Sequence, residues 1–340
     1  MAGSLANLAD SSTARWVGYL SYDLGRLFEA LPSLAPIDES SPLFVFADVA
    51  KYAGIAHDAG DASRLDESAY LVAHTFEQDS YCDAVARVID YIRAGDVFQV
   101  NLSQRFSYRS ALPPSMIYQR LLNQAPSAYG ALLDFGDHAV ISNSPELFLK
   151  VTPERQVITR PIKGTRPRQP GAESELRESV KDQAELNMIV DLERNDLGRV
   201  CEIGSVKVSE PRSIETHPTV HHGVATVEGQ LRPDVDFVDL LRATFPGGSI
   251  TGAPKIRAMQ IIEELEPVRR GVYCGAIGYL AADGSIELNM AIRTMVLRDG
   301  LVHFSVGGGI VADSVPRSEF VETLVKARAL QRALGVTHST

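Results

Sequence analysis

The stretch Arg160-Pro161-Ile162-Lys163-Gly164-Thr165-Arg166 is the one around which the other motifs of this chain can be arranged. The β-branched residues 157–159 before it predict a strand. Because Pro161 cannot donate a ladder hydrogen bond and Gly164 frees the backbone, we expect that strand to end here in a turn. Lys163 would project between two arginines, whose charges would lower the pKa of its ammonium, as a nucleophilic lysine requires. A solvated basic turn is the alternative interpretation.

The composition is typical of a soluble globular protein, and the cysteine pattern favours a reducing cytoplasm. The chain has 340 residues, 45% of them hydrophobic and 22% charged, which suffices for two ordinary domains or one large one. A formal net charge of -10 argues against a nucleic-acid partner, because a phosphate backbone binds a basic face. Three isolated cysteines predict neither a disulfide framework nor a zinc site. The chain start lacks the features of a secretory signal, and no apolar run approaches the roughly 20 residues of a membrane helix, so we expect no membrane partner.

Periodicity predicts a chain that alternates strands and helices. The predicted helices cover residues 24–31, 80–94, 115–124, 174–194, 255–265 and 318–334. The predicted strands cover residues 16–23, 43–52, 97–106, 129–134, 139–143, 157–159, 206–208, 224–229, 272–280, 286–297 and 302–309. A polar connector at 58–68 is the best candidate for an internal boundary.

Three strands and a turn carry residues of chemical interest. In the strand at 97–106, Gln99 lies on a polar face that is unusual to bury unless it lines a site. Glu146 follows a proline and precedes Lys163 by only about a hairpin's length, so both could face one cavity, although a surface turn is equally compatible. Arg293 and the triplet Gly307–Gly309 could offer a guanidinium and bare backbone amides to an anion.

Two helices and one loop carry further candidates. Glu319, Glu322 and Lys326 are spaced i, i+3 and i+7, which places them within about 60° of one another on a helical wheel. Two carboxylates one turn apart suit a hard cation such as Mg²⁺, although a solvated ion-pair face would look the same. Glu185 stands four residues after Lys181, which alone suggests a surface ion pair. The glycine-rich loop 245–255 leads into a helix and favours an anion, but it lacks the spacing of a nucleotide-binding P-loop.

Taken together, these motifs resemble the chorismate-utilising enzymes, a family that includes anthranilate, aminodeoxychorismate, isochorismate and salicylate synthases. The resemblance covers about residues 80–330, and its motifs occur in the family's order. They are residues 98–105, 144–146, 161–165, 181–185, 191–196, 245–255, 292–294, 307–309 and 318–326. The resemblance implies an α+β fold in which two antiparallel β-sheets pack face to face with helices outside. It also implies a shortened N-terminal segment at 1–70 and a chorismate-binding catalytic domain at 71–335.

The branch of the family follows from two positions. Around Lys163 this chain reads Pro-Ile-Lys-Gly-Thr, which resembles the motif of aminodeoxychorismate synthases. Anthranilate synthases have Pro-Ile-Ala-Gly-Thr at the same place. Where isochorismate and salicylate synthases carry a water-activating lysine, this chain has Gln99, which favours an amine as the nucleophile. The expected reaction is amination of chorismate to 4-amino-4-deoxychorismate, which supplies para-aminobenzoate and folate synthesis. Anthranilate synthase component I and a non-catalytic chorismate-binding partner protein are the alternatives.

The resemblance also implies roles for individual residues and partners. Lys163 would be the nucleophile, Glu146 the general acid, and Gln99 a third catalytic side chain, with Mg²⁺ as cofactor. The metal residues would be Glu185, Glu319 and Glu322. The substrate-binding residues would be Gly164, Thr165, His222, Thr251, Tyr273, Arg293, Gly307, Gly308, Gly309 and Lys326. Ammonia would come from a separate glutamine amidotransferase subunit. The Pro-Tyr-Met element of the tryptophan pocket is replaced by Ala128-Tyr129-Gly130, which leaves feedback control by tryptophan in doubt.

Overall fold

The computed structural model describes residues 16–36, 41–49, 69–124 and 126–336. Within them the chain forms two antiparallel β-sheets accompanied by helices, which confirms the expected α+β fold. The predicted connector at 58–68 lies outside the described residues. In the part of the chain that is described, no helix is both long enough and apolar enough to cross a membrane.

The first sheet, sheet A, has nine strands. They are β1 (Trp16–Leu20), β2 (Phe44–Asp48), β7 (Leu147–Val151), β8 (Gln156–Arg160), β9 (Ile162–Pro167), β10 (Lys207–Thr216), β11 (Val220–Gln230), β13 (Ala276–Leu280) and β14 (Ile286–Met290). Their order is β10-β11-β8-β7-β14-β13-β1-β2, and β9 also pairs with β11.

The second sheet, sheet B, has seven strands. They are β3 (Tyr70–His74), β4 (Gln99–Arg109), β5 (Tyr129–Asp134), β6 (Ala139–Ser144), the short β12 (Gly252–Ala253), β15 (Thr294–Arg298) and β16 (Leu301–Ile310). Their order is β12-β4-β16-β15-β6-β5, with β3 also paired to β4. The longest pairing joins β4 and β16 over ten residues, from Leu301 opposite Arg109 to Ile310 opposite Val100.

Seven α-helices of the described ranges accompany these sheets. They are α1 (Gln78–Arg93), α2 (Pro114–Gln124), α3 (Ala172–Glu178), α4 (Val180–Gly198), α5 (Phe237–Thr244), α6 (Lys255–Leu265) and α7 (Pro316–Ala333). Short 3₁₀ helices occupy Tyr22–Leu27 and Gly248–Ile250. One apolar core lies between sheet A and helices α4 and α5, and a second lies between sheet B and helices α2 and α7. A smaller cluster that includes Tyr19 and Ile277 of sheet A and Val140 and Val296 of sheet B joins the two sheets.

Two predicted elements are divided in the structure, and one strand continues where we expected it to end. The strand before Pro161 does not end in a turn, because the chain continues as β9 along the same partner strand. Gly164 is needed there, since its φ is +80° and an added Cβ would lie 2.7 Å from the Leu176 side chain. The single helix predicted at 174–194 breaks at Ser179, whose hydroxyl accepts a hydrogen bond from the backbone of Asp182 and caps α4.

The predicted strand at 286–297 is in fact two strands in different sheets. It leaves sheet A after Met290 and enters sheet B at Thr294. Arg293 makes the change of direction in the left-handed region, with φ of +50°. This conformation costs a non-glycine residue free energy, so the tertiary structure must hold it in place.

Candidate active site

The candidate site lies where the chain crosses twice between the sheets. One crossing, between β6 and β7, contains Glu146, and the other, between β14 and β15, contains Arg293. The two crossings are joined by backbone hydrogen bonds, from Asn143 N to Arg293 O at 3.0 Å and from Met290 N to Glu146 O at 3.0 Å. A carboxyl group and a guanidinium are therefore held by rigid strand ends between two sheets.

Glu146 is a buried acid. Its side chain belongs to a residue that is 5% exposed, and its Oε1 accepts a 2.5 Å hydrogen bond from the hydroxyl of Ser249. Burial raises the pKa of Glu146 above its usual range, although the Ser249 hydrogen bond and the charges of Lys163 and Arg293 act in the opposite direction. A carboxyl group that keeps its proton towards neutral pH can act as a general acid.

Lys163 lies beside the same serine. Its Nζ donates a 3.2 Å hydrogen bond to the backbone oxygen of Ser249. Burial lowers the pKa of Lys163, while Glu185 and Glu146 oppose that shift. Ser249 therefore contacts both proposed catalytic side chains, one through its hydroxyl and the other through its carbonyl. The sequence indicated only the glycine-rich loop around Ser249, not this bridging role.

The expected cause of the lowered lysine pKa was wrong. The two flanking arginines are engaged elsewhere: Arg160 pairs with Glu215, and Arg166 lies 2.8 Å from Glu175 and 2.9 Å from Asp182. Burial contributes most to the shift, and the nearby cation that adds to it is Lys326 of helix α7.

Glu319, Glu322 and Lys326 lie on one face of α7, as the helical spacing predicted, and the structure shows that this face points at β16. A Cβ added to Gly308 would lie 3.4 Å from Glu319 Oε2, 3.5 Å from Glu322 Oε1 and 3.8 Å from Lys326 Nζ. Lys326 is bonded to Glu322 at 2.7 Å and donates to the backbone oxygen of Gly307 at 2.8 Å. The three side chains thus converge on the bare backbone of the glycine triplet.

The carboxylates proposed for Mg²⁺ come from two helices. Glu185 of α4 lies 4.0 Å from Lys181, and the charges of Lys163 and Glu322 act on it. Burial raises the pKa values of Glu185 and Glu319, and the charge of Glu322 adds to both shifts. Among the described residues, no three carboxylate, imidazole or thiol side chains are already arranged around one ion position. The donor chemistry nevertheless fits Mg²⁺, because carboxylate oxygens are hard ligands of the kind this cation prefers.

The glycine triplet Gly307–Gly309 has one side without a strand partner in the described pairing. Strand β16 pairs with β15 only as far as Phe304, whereas its pairing with β4 continues to Ile310. A Cβ on Gly309 would lie 2.3 Å from Nε2 of Gln99. Both amide atoms of the fully buried Gln99 lack a hydrogen-bond partner, so this side chain has unused polar groups at the site.

The rest of the polar face of β4 is occupied by internal contacts. Asn101 Nδ2 donates to Ile250 O at 2.9 Å, and Ser103 donates to Glu266 from both its backbone and its hydroxyl at 2.8 Å. The predicted polar face is buried, but these two residues bind the glycine-rich loop and helix α6 rather than an open cavity. On the opposite face Phe98 is 69% exposed, although the alternation grouped it with the apolar positions.

The remaining predicted substrate-binding residues are distributed around this centre. Tyr273 is 8% exposed and its ring centroid lies 5.8 Å from the guanidinium carbon of Arg270. Thr251 is fully buried, and its hydroxyl donates to Gly247 O of its own loop at 2.9 Å. That contact joins two residues of the loop, so Thr251 has a structural role there.

The pKa values of His222, which is buried, and of Arg293, which is half-buried, are both shifted by the loss of solvent. Nδ1 of His222 lies 2.8 Å from the hydroxyl of Thr165, and burial followed by the charge of Arg293 lowers the pKa of His222 to about 3. The ring is therefore neutral at physiological pH. Burial also lowers the pKa of Arg293, while Glu146 opposes that shift.

Comparison with known proteins identifies the relatives of this fold and site. The family model described as chorismate binding enzyme matches residues 57–332. Anthranilate synthase component 1 of Thermus thermophilus is 42% identical over 361 residues, covering 95% of this chain and 78% of its own length. Aminodeoxychorismate synthase component 1 of Bacillus subtilis is 40% identical over 362 residues, covering 94% of this chain and 77% of its own. The crystal structure of anthranilate synthase component I from Streptococcus pneumoniae matches with a TM-score of 0.83 at 32% identity, over 98% of this chain and 82% of that one.

Proposed function

The chain belongs to the family of chorismate-binding enzymes, and we propose that within it the chain catalyses the amination of chorismate to 4-amino-4-deoxychorismate. The observation that carries this proposal is that Lys163 and Glu146 both bind Ser249, Lys163 at its backbone oxygen and Glu146 at its hydroxyl. The first side chain is a lysine whose burial favours its neutral, nucleophilic form. The second is an acid whose burial favours its protonated form.

In the first step, the amine of Lys163 attacks C2 of the ring while the C4–oxygen bond breaks. Glu146 gives its proton to the departing C4 hydroxyl, which leaves as water. The lone pair of the amine forms the new C2–nitrogen bond, and the ring double bonds shift towards C4. The electron pair of the C4–oxygen bond leaves with the oxygen. Neither residue could contribute in its ordinary charge state at neutral pH, so the shared burial of the pair is essential to the proposal.

In the second step, ammonia adds at C4, the double bonds shift back, and the bond between C2 and Lys163 breaks to release the amine. The new C4 ammonium gives one proton to Glu146, which restores the acid for the next cycle. The unpaired amide of Gln99 adjoins the glycine triplet, and unlike a lysine it cannot serve as a base that activates water.

The two carboxylates of chorismate need separate partners. Arg293, Tyr273 and the backbone of Gly307–Gly309 would bind the enolpyruvyl carboxylate. Glu185, Glu319 and Glu322 would hold Mg²⁺, which when bound supplies positive charge for the ring carboxylate. Lys326, which bridges Glu322 and the triplet, would help to orient the substrate. His222 and Thr165, bonded to each other, and the left-handed Gly164 would complete the substrate side of the site.

Anthranilate formation is the rival reaction, because relatives of both names match at similar identity. The two reactions differ in the carbon that receives the amine and in the fate of the enolpyruvyl group, which anthranilate loses. The lysine of the Pro-Ile-Lys-Gly-Thr motif favours the C4 product, since a covalent adduct at C2 protects that carbon from ammonia.

The test is to incubate the purified chain with chorismate, Mg²⁺ and either an ammonium salt or glutamine, and to identify the product by mass. We expect 4-amino-4-deoxychorismate from the ammonium salt and no turnover from glutamine until a glutamine amidotransferase subunit is added. Anthranilate as the main product, or glutamine-driven turnover by the single chain, would contradict the proposal.

A further inference from the structure

Arg270 is a buried charge that has no part in the reaction proposed above. Its residue is 4% exposed, and it stands five positions after the end of helix α6. A guanidinium is expensive to bury unless all of its donors are satisfied. The identity of its partners therefore indicates what the buried charge accomplishes.

The partners of Arg270 include the loop that carries Ser249. Nη1 donates to Ile250 O at 2.9 Å, and Nη2 donates to Asn101 O of strand β4 at 2.6 Å. Asn101 in turn donates from Nδ2 to the same Ile250 oxygen at 2.9 Å, and its backbone N–H donates to Thr251 O at 2.8 Å. The loop is thus fixed to β4 on the residues immediately after Ser249.

Arg270 is itself held from the other side. Its Nε and Nη2 bind the two carboxylate oxygens of Glu266 at 2.9 and 2.7 Å, and Ser103 of β4 donates twice to the same carboxylate. The guanidinium carbon lies 4.8 Å from the ring centroid of Tyr22 and 5.8 Å from that of Tyr273. The planar guanidinium of Arg270 is therefore held in one orientation by a bidentate carboxylate and two aromatic rings.

We infer that Arg270 is a positioning residue that fixes the glycine-rich loop so that Ser249 holds Glu146 and Lys163 in their working geometry. This inference rests on the proposed function for the roles of Glu146 and Lys163. The loop has glycines at 247, 248 and 252, so its backbone is inherently adaptable and needs external bonds to be precise. Displacement of a reacting group by about 1 Å can cost about 100-fold in rate even when the change lies far from the chemistry.

The test is a double-mutant cycle between Arg270→Lys and Ser249→Ala, measured as chorismate consumption per folded enzyme. A lysine keeps the charge but cannot bind Glu266, Ile250 and Asn101 together. We expect Arg270→Lys to lower kcat by about 100-fold, with a much smaller change in KM. Because both substitutions disturb the contact with Glu146, we expect the double variant to lose less than the product of the two single losses.

The pH dependence of kcat distinguishes positioning from a merely structural role, because a structural role would leave it unchanged. The Ser249 hydrogen bond lowers the pKa of Glu146, so losing it should shift the alkaline limb of kcat to higher pH in both single variants. Arg155→Lys is the matched control, because Arg155 also fixes backbone with its guanidinium, but it donates to the oxygens of Arg232 and Val235 at 2.7 Å and not to the glycine-rich loop. We expect that control to leave the alkaline limb unchanged and to combine additively with Ser249→Ala.

Additive losses in the Arg270→Lys cycle, or an unmoved alkaline limb, would overturn the positioning role. If Arg270→Lys does not fold, Asn101→Ala, which removes the other donor to Ile250 O, takes its place in the same cycle. The cycle follows chorismate consumption, whereas the proposed function is decided by product mass. An anthranilate product would therefore reject that function while the cycle still reports on Arg270.

Discussion

The hydroxyl of Ser249 donates a 2.5 Å hydrogen bond to Oε1 of Glu146, yet the pKa of that carboxyl is still raised by burial. A hydrogen bond to the ionised form lowers a carboxyl pKa, so burial outweighs this contact and the charges of Lys163 and Arg293 together. Because the pKa of Glu146 is raised on folding, ionising this carboxyl as the pH rises lowers the stability of the folded state.

Glu146→Gln should therefore stabilise the protein in a pH-dependent manner. The pKa of Glu146 is higher in the folded than in the unfolded state. The stability of the parent is therefore fully present below the ordinary glutamate pKa, and part of it is lost as the pH rises through the folded-state pKa. Glutamine cannot ionise, so we expect the variant to unfold at higher denaturant concentration than the parent at pH 8 and at the same concentration near pH 4. An equal difference at both pH values, or the same difference in the exposed control Glu178→Gln, would contradict this account.

Glu322→Gln tests the proposed metal site. The Glu322 side chain is 53% exposed and pairs with Lys326, so its replacement should leave the fold intact. Removing one charged ligand should weaken Mg²⁺ binding and turnover by about 100-fold or more. Titration calorimetry with Mg²⁺ measures the first effect, and Glu228→Gln, which breaks the Lys207 pair at 3.0 Å on strand β11, is the control. Unchanged Mg²⁺ affinity in Glu322→Gln would remove that residue from the metal site.

The glycine triplet offers a matched pair of substitutions. An alanine Cβ at position 309 would lie 2.3 Å from Gln99 Nε2, whereas at position 308 its nearest neighbour is Glu319 Oε2 at 3.4 Å. We expect Gly309→Ala to destabilise the fold by about 1–3 kcal/mol through overpacking, and Gly308→Ala to cost much less. Adding Gln99→Ala should recover part of the loss at 309, as measured by urea unfolding. Equal stabilities for the two alanine variants would show that Gln99 is not fixed where the structure places it.

Some of this site could be predicted because local patterns determine it. The i, i+3, i+7 spacing on α7 correctly placed Glu319, Glu322 and Lys326 on one face, since helix geometry depends only on the chain itself. The short distance in sequence between Glu146 and Lys163 likewise anticipated that they share a site, because β7 and β8 pair between them. The fold followed from the family resemblance rather than from composition.

Other features depend on tertiary contacts that no local pattern encodes. The strand predicted at 286–297 changes sheets at Arg293, and its apolar sequence is compatible with either sheet. The pKa of Lys163 is lowered by burial and by Lys326, more than 160 positions away, and not by the adjacent arginines. Ser249 and Arg270 gain their importance only when strand β4, helix α6 and the glycine-rich loop are brought together.

The most direct test of the account is the effect of Lys163→Ala on product formation and chorismate affinity. Loss of a nucleophile should lower turnover by several orders of magnitude, whereas chorismate binding should remain close to that of the parent, because Arg293, the glycine triplet and Mg²⁺ are proposed to hold its carboxylates. The substitution recreates the Pro-Ile-Ala-Gly-Thr motif, so residual activity should shift towards amination at C2. Near-normal production of 4-amino-4-deoxychorismate by Lys163→Ala would contradict the covalent role and with it the central claim.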